Sequence, residues 1–224
     1  MAPTKRPRVK ICCIASAAEA KLAIDHGASA IGLVSAMPSG PGPIEESLIS
    51  QIARNVPPGV ATFLLTSLQS ASTIIAQQRR LRTNTLQIVD WLTDGNYDEI
   101  RAALPGIKLV QVIHVTGEGS IAEAVNVAKH VDAILLDSGN QSLKVKELGG
   151  TGRRHDWAIS RRIREAIDVP LYLAGGLKPE NVAEAIETVR PFGLDVCSGL
   201  RTNGALDAAK VQAFFAAVDS AAIL

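Results

Sequence analysis

Two adjacent cysteines close the segment Val9-Lys10-Ile11-Cys12-Cys13, and the chain contains only one more, Cys197. A cysteine reacts as its thiolate, and a thiol of ordinary pKa near ~8.5 is mostly protonated at neutral pH. A reactive one needs positive charge beside it, which Lys10, two residues back, could supply. A carboxyl group stands at Asp137, followed by Ser138 and Gly139. Glycine clusters recur at Gly149-Gly150-Thr151-Gly152, Gly175-Gly176, Ser198-Gly199 and Thr202-Asn203-Gly204. Such turns can offer backbone N–H groups to a phosphate without any basic side chain. Each feature alone also has a plainer reading: Cys12 as an inert buried thiol, Asp137 as a loop cap, GGTG as a flexible turn.

The elements that must position these residues repeat one pattern to the end of the chain. Short β-rich apolar runs fall at 9–14, 30–34, 61–65, 85–89, 108–114, 133–137, 171–174 and 194–197. Between them, apolar residues at three- and four-residue spacing predict helices over 17–26, 45–55, 70–81, 97–104, 121–130, 156–167, 179–189 and 207–220. Strand–helix alternation implies parallel strands joined by crossovers, because a hairpin cannot reach a parallel neighbour. Eight units in 224 residues match a compact (β/α)8 TIM barrel, with a doubly wound open sheet as the competing arrangement. No linker or shift in composition divides the chain, so residues 1–224 read as one domain.

A barrel carries its site at the C-terminal ends of its strands, where Cys12, Asp137, Gly175-Gly176 and Ser198-Gly199 all fall. Alternation along the first strand puts Lys10 and Cys12 on the inner face and Val9, Ile11 and Cys13 on the outer one. Cys12 is then the cysteine in the barrel mouth, and Cys13 a small buried hydrophobe. The last loops of barrels often bind phosphate, which assigns Gly150, Gly152, Gly175, Gly176, Ser198 and Gly199 to a phosphosugar substrate.

Composition limits the partners. The net charge of +1 lacks the basic excess of nucleic-acid or membrane-surface binders. The basic runs at Arg79-Arg80 and Arg161-Arg162 fall on expected helices and read as solvated faces. Three cysteines, two of them adjacent, give no disulfide framework and suit a reducing, cytoplasmic compartment. The start MAPTKRPRVK has no apolar stretch behind it, which argues against a secretory signal, and no run reaches the ~18 apolar residues of a membrane helix.

Taken together, these motifs resemble the phosphoribosylanthranilate isomerase family of tryptophan biosynthesis. The resemblance runs through nearly the whole chain. It is carried by Val9-Lys10-Ile11-Cys12, Leu135-Leu136-Asp137, Gly149-Gly150-Thr151-Gly152 with Asp156-Trp157, Leu173-Ala174-Gly175-Gly176-Leu177 with Pro179-Glu180-Asn181, and Asp195-Val196-Cys197-Ser198-Gly199. It implies a (β/α)8 fold and an Amadori rearrangement of an N-linked ribosyl phosphate that needs no cofactor or metal. It also implies Cys12 as general base and Asp137 as general acid. Lys10, on the inner face with Cys12, is placed with the substrate- and phosphate-binding residues. Barrels of this kind occur as monomers and dimers.

Three departures from the family pattern bear on the substrate. Cys13 replaces the glycine that follows the base. Gly42, in the loop 37–44, falls roughly where an arginine for the anthranilate carboxylate is expected. Val89 replaces a histidine after the fourth strand. Arg153, Arg154 and Arg201 are the alternative cations, and another phosphorylated sugar, or a phosphate ligand bound without turnover, stays open as the ligand.

Overall fold

A computed structural model describes residues 6–139, 146–148 and 152–221. Its eight parallel strands pair in sequence order: β1 (Arg8–Ile11), β2 (Ala30–Val34), β3 (Ala61–Thr66), β4 (Thr85–Ile88), β5 (Lys108–His114), β6 (Ala133–Asp137), β7 (Leu171–Leu173) and β8 (Gly193–Val196). The last strand pairs back onto the first, with Lys10 opposite Asp195 and Ile11 opposite Val196, so the sheet is a closed barrel and not an open one. Helices follow the strands: α1 (Ala17–Asp25), α2 (Glu46–Asn55), α3 (Ala71–Leu81), α4 (Tyr97–Ala103), α5 (Gly119–Val127), α6 (Trp157–Ala166), α7 (Val182–Val189) and α8 (Ala208–Ala221).

Period-two alternation divides the apolar residues into two clusters. Val9, Ile11, Ile31, Leu33, Leu64, Leu86, Ile134, Leu136, Leu194 and Val196 face outward into the layer beneath the helices. Ala30, Val34, Phe63, Leu65, Val110, Val112, Ala133 and Leu135 fill the barrel interior. Burial of this kind, at roughly 25 cal/mol per Å² of apolar surface, is the main force holding sheet and helices together.

Side-chain caps begin several helices. Ser16 accepts from the Glu19 N–H at 3.2 Å, Asn96 from Glu99 at 3.0 Å and Asp156 from Ala158 at 2.8 Å. The helix expected from residue 179 starts only at Val182, because Asn181 is used as a brace: its Oδ1 accepts from the Lys178 N–H and its Nδ2 donates to the Gly176 carbonyl, both at 2.9 Å. The basic runs are paired on the surface, Arg80 with Glu46, Arg161 with Glu165 and Arg162 with Glu118. Among the described residues no helix is long and apolar enough to cross a membrane.

The end of β1 departs from the expected strand. Cys12 N donates to the Val196 carbonyl at 2.8 Å and Ile14 N to the Gly32 carbonyl at 3.0 Å, while Cys13 between them adopts a left-handed φ of 59°. The ladder therefore skips one residue, as at a bulge, and alternation does not carry across it. Ile14 returns to the outer cluster, and Cys13 turns back into the mouth beside Cys12. The expectation that Cys13 packs outward against the helices is corrected by this turn, although the residue is buried.

Candidate active site

The site rests on a floor built inside the barrel. Phe63 and Tyr172 meet edge to face with centroids 5.8 Å apart, and Gly193 leaves room for the tyrosine, since a Cβ there would lie 2.4 Å from the ring. Above them Lys10 Nζ meets Asp195 Oδ1 at 2.8 Å, with the two side chains 0% and 7% exposed. The ammonium also lies 5.2 Å from the Phe63 ring centroid. Burial alone would lower the Lys10 pKa, but the Asp195 carboxylate and the Cys12 sulfur outweigh it and raise it, so the side chain is a fixed cation. A Cβ on Gly32 would fall 2.7 Å from Cys12 Sγ and 3.0 Å from Lys10 Nζ, so glycine alone allows sulfur and ammonium to share that space. Lys10, placed from sequence with the substrate- and phosphate-binding residues, is fully buried, and its ammonium faces Asp195 and the Cys12 sulfur.

Cys12 and Asp137 line one cleft at the C-terminal ends of the strands. The Ser138 N–H donates to Asp137 Oδ1 at 2.7 Å, which fixes the carboxyl, and the Asp137 carbonyl accepts from Val115 N at 2.9 Å. His155 stands beside this acid: its Nε2 meets Ser160 Oγ at 2.7 Å, and its Nδ1 lies 3.1 Å from where a Cβ of Gly175 would be. Burial lowers the His155 pKa to about 4, against the opposing pull of Asp137, so the ring is neutral at neutral pH. Cys13, in contact with the Cys12 and Cys197 thiols and buried, has its pKa pushed up and stays a neutral thiol. Among the described residues no group of three His, Cys, Asp or Glu side chains could hold a metal ion.

One rim of the cleft is glycine. Gly152, Gly175, Gly176 and Ser198 all line it, and the three glycines have φ of 68°, 85° and 65°. Gly199 packs so closely under the β7 loop that a Cβ would lie 2.0 Å from the Leu177 carbonyl oxygen. Ser198–Leu200 form a single 3-10 turn, whose first N–H groups have no acceptor within the turn. Gly150 lies outside the described residues. Thr202, Asn203 and Gly204 are not on this rim: a small hairpin, β9 (Arg201–Thr202) with β10 (Ala205–Leu206), turns at Asn203-Gly204 with φ of 51° and 82°.

The opposite wall is mainly apolar, with Val34, Met37, Leu65, Val89, Val112 and Leu148, but it also carries the Gln87 amide, whose Oε1 is buried with no hydrogen-bond partner; Ser39, Gly40 and Pro41 of the loop after β2 close it. None of the three alternative cations lines it. Arg153 pairs with Glu147, Arg154 pairs with Glu184 at 2.7 Å and stacks on Trp157, and Arg201 pairs with Glu19 at 2.9 Å while also donating to the Cys13 carbonyl. Asp90, next to Val89, is buried and paired with Lys146 at 2.5 Å. Asp195, His155 and Cys197 are the site neighbours not singled out from sequence. Asp195 and Cys197 were open to the same alternation that found Cys12, whereas His155 sits in a loop with no periodicity to read.

Among curated proteins the chain is 37% identical to N-(5'-phosphoribosyl)anthranilate isomerase 2 of Methanosarcina mazei, covering 92% of each chain. It is 35% identical to the N-(5'-phosphoribosyl)anthranilate isomerase of Haloferax volcanii, covering 96% of this chain and 94% of that one. The crystal structure of phosphoribosyl anthranilate isomerase from Thermotoga maritima superposes with a TM-score of 0.79 at 27% identity, covering 96% of this chain and 99% of that one. One such isomerase in complex with reduced 1-(o-carboxyphenylamino)-1-deoxyribulose 5-phosphate gives 0.77 at 26% identity, with the same coverage. The family model for N-(5'phosphoribosyl)anthranilate (PRA) isomerase matches residues 9–217, and the chain belongs to that family.

Proposed function

We propose that Cys12 and Asp137 perform, in this chain, the isomerisation for which its family is named: the cofactor-independent Amadori rearrangement of N-(5-phosphoribosyl)anthranilate to the carboxyphenylamino-deoxyribulose phosphate, a step of tryptophan biosynthesis. The observation that carries this reading is the sharing of one cleft by a thiol beside a buried cation and a carboxyl group fixed by its neighbour's N–H, with a glycine rim alongside.

The reaction runs through two proton transfers. Asp137, holding a proton on Oδ2, gives it to the ribose ring oxygen; the C1–O bond breaks and C1 becomes an iminium. Cys12, as thiolate beside the Lys10 ammonium, takes the proton from C2, and the electrons of that C–H bond form an enolamine. Tautomerisation to the C2 ketone returns a proton to C1, so product and substrate are isomers and nothing is consumed. Each positioned transfer contributes roughly 10²–10⁴ in rate. The Gly152, Gly175-Gly176 and Ser198-Gly199 loops hold the phosphate, and the apolar wall receives the aromatic ring. Three free thiols within one site suit a reducing compartment such as the cytoplasm.

Growth rescue tests the reading. Expression of the wild type should restore a tryptophan auxotroph lacking this isomerase, and Asp137→Asn, which cannot deliver the proton, should not. Failure of the wild type, expressed and soluble, would reject the assignment.

A further inference from the structure

Cys13 and Gly42, two of the departures from the family pattern, compete for the same space at the wall that meets the amine half of the substrate. A Cβ on Gly42, at φ of 91°, would fall 2.5 Å from Cys13 Cβ and 2.9 Å from its Sγ. Cys13 Sγ in turn donates to the Pro41 carbonyl at 3.6 Å and so ties the loop down. A side chain at position 42 would force Cys13 or the loop to shift, and would strain the backbone there as well.

The charge around the cleft is consistent with the absence of a cation at position 42. Among the described residues no lysine or arginine lines it, and its two charged side chains are both acidic, Asp137 and Asp195. The nearby cations Lys10, Lys146 and Arg201 are held by Asp195, Asp90 and Glu19. Among the described residues the wall offers a ring carboxylate no cation, only the neutral Gln87 amide, and desolvating a carboxylate is costly.

Resting on the isomerase reading above, we propose that Cys13 and Gly42 together make this enzyme indifferent to the ring carboxylate, so that it also isomerises N-(5-phosphoribosyl)arylamines that lack it. The chemistry is unchanged: Asp137 opens the ring, Cys12 moves the C2 proton, and the ketose amine is an isomer of its substrate. A site built to bond a polar group rejects an analogue lacking it by about 10⁴ or more, whereas an apolar wall discriminates only weakly.

The test measures kcat/KM of the purified wild type for phosphoribosylanthranilate and for phosphoribosylaniline, the latter formed from aniline and ribose 5-phosphate, with Cys12→Ala giving the background rate for each. The expected result is values within roughly tenfold of each other. The double variant Cys13→Gly/Gly42→Arg should then favour the carboxylate substrate by at least about tenfold over the wild-type ratio, one charge-assisted bond's worth. Turnover of phosphoribosylanthranilate alone would overturn the proposal and leave the isomerase reading standing, since a carboxylate partner must then exist. Turnover of neither substrate would overturn both. A folded double variant with an unchanged ratio would remove Cys13 and Gly42 as the determinant.

Discussion

Cys12 works only in the company that other residues provide. The Lys10 ammonium beside its sulfur is itself held by a buried carboxylate, and removing one member of such a pair leaves an uncompensated charge that costs about 3–5 kcal/mol. Lys10→Met is therefore expected to unfold or precipitate, whereas Lys10→Met/Asp195→Leu should fold, because an apolar pair of similar volume can replace a buried ion pair. In the folded double variant kcat for the isomerisation should fall by about tenfold or more, since no cation stands beside the Cys12 sulfur. An unchanged kcat would separate Lys10 from the chemistry. Cys12 itself was legible in the sequence because inner and outer positions alternate up to Ile11. Cys13 was misread because one left-handed residue breaks the alternation, and no sequence rule places a left-handed turn at a cysteine.

Loops and strand ends form the rim proposed to hold the phosphate. The glycines after β7 and β8 were readable as candidates for that role from their place in a barrel, but contacts between loops distant in sequence explain why glycine is needed there. Gly199 is the sharpest case, since an added methyl group would meet the Leu177 carbonyl oxygen. Gly199→Ala should push the two loops apart and raise KM by about tenfold or more while changing kcat less, because binding is lost and the acid and base are untouched. Steady-state kinetics decides it; an equal fall in kcat at constant KM would place the loop's role in the chemical step. Helix positions were legible from apolar spacing to within about three residues: α5 runs from Gly119 to Val127 and not over 121–130, and α7 starts late because Asn181, in its expected first turn, bonds the loop before it.

At the scale of the molecule, closure of the barrel determines what can meet. Lys10 and Asp195 are 185 residues apart in sequence and become neighbours only because β8 pairs with β1. The count of strand–helix units made the barrel legible, and the pairing of particular residues across it followed only once the register was known. Burial also gives the fold a pH dependence. His155 is neutral in the folded protein down to about pH 4 and takes a proton near pH 6.5 when unfolded, so its contribution is intact above pH 6.5 and is lost as pH falls toward 4. The loss should reach at most about 3 kcal/mol. Denaturant unfolding at pH 7.5 and 4.5 should therefore show a smaller decline in His155→Phe than in the wild type; equal declines would mean that His155 is not the group that protonates.

The central claim is that one thiol, Cys12, moves the C2 proton. The measurement closest to it is the turnover of phosphoribosylanthranilate by purified wild type and Cys12→Ala, with folding of the variant checked by its thermal transition. A fall in kcat of at least about 10²-fold in a folded variant is expected, the least that a lost general base costs. A folded Cys12→Ala enzyme within a few-fold of wild type would contradict the account.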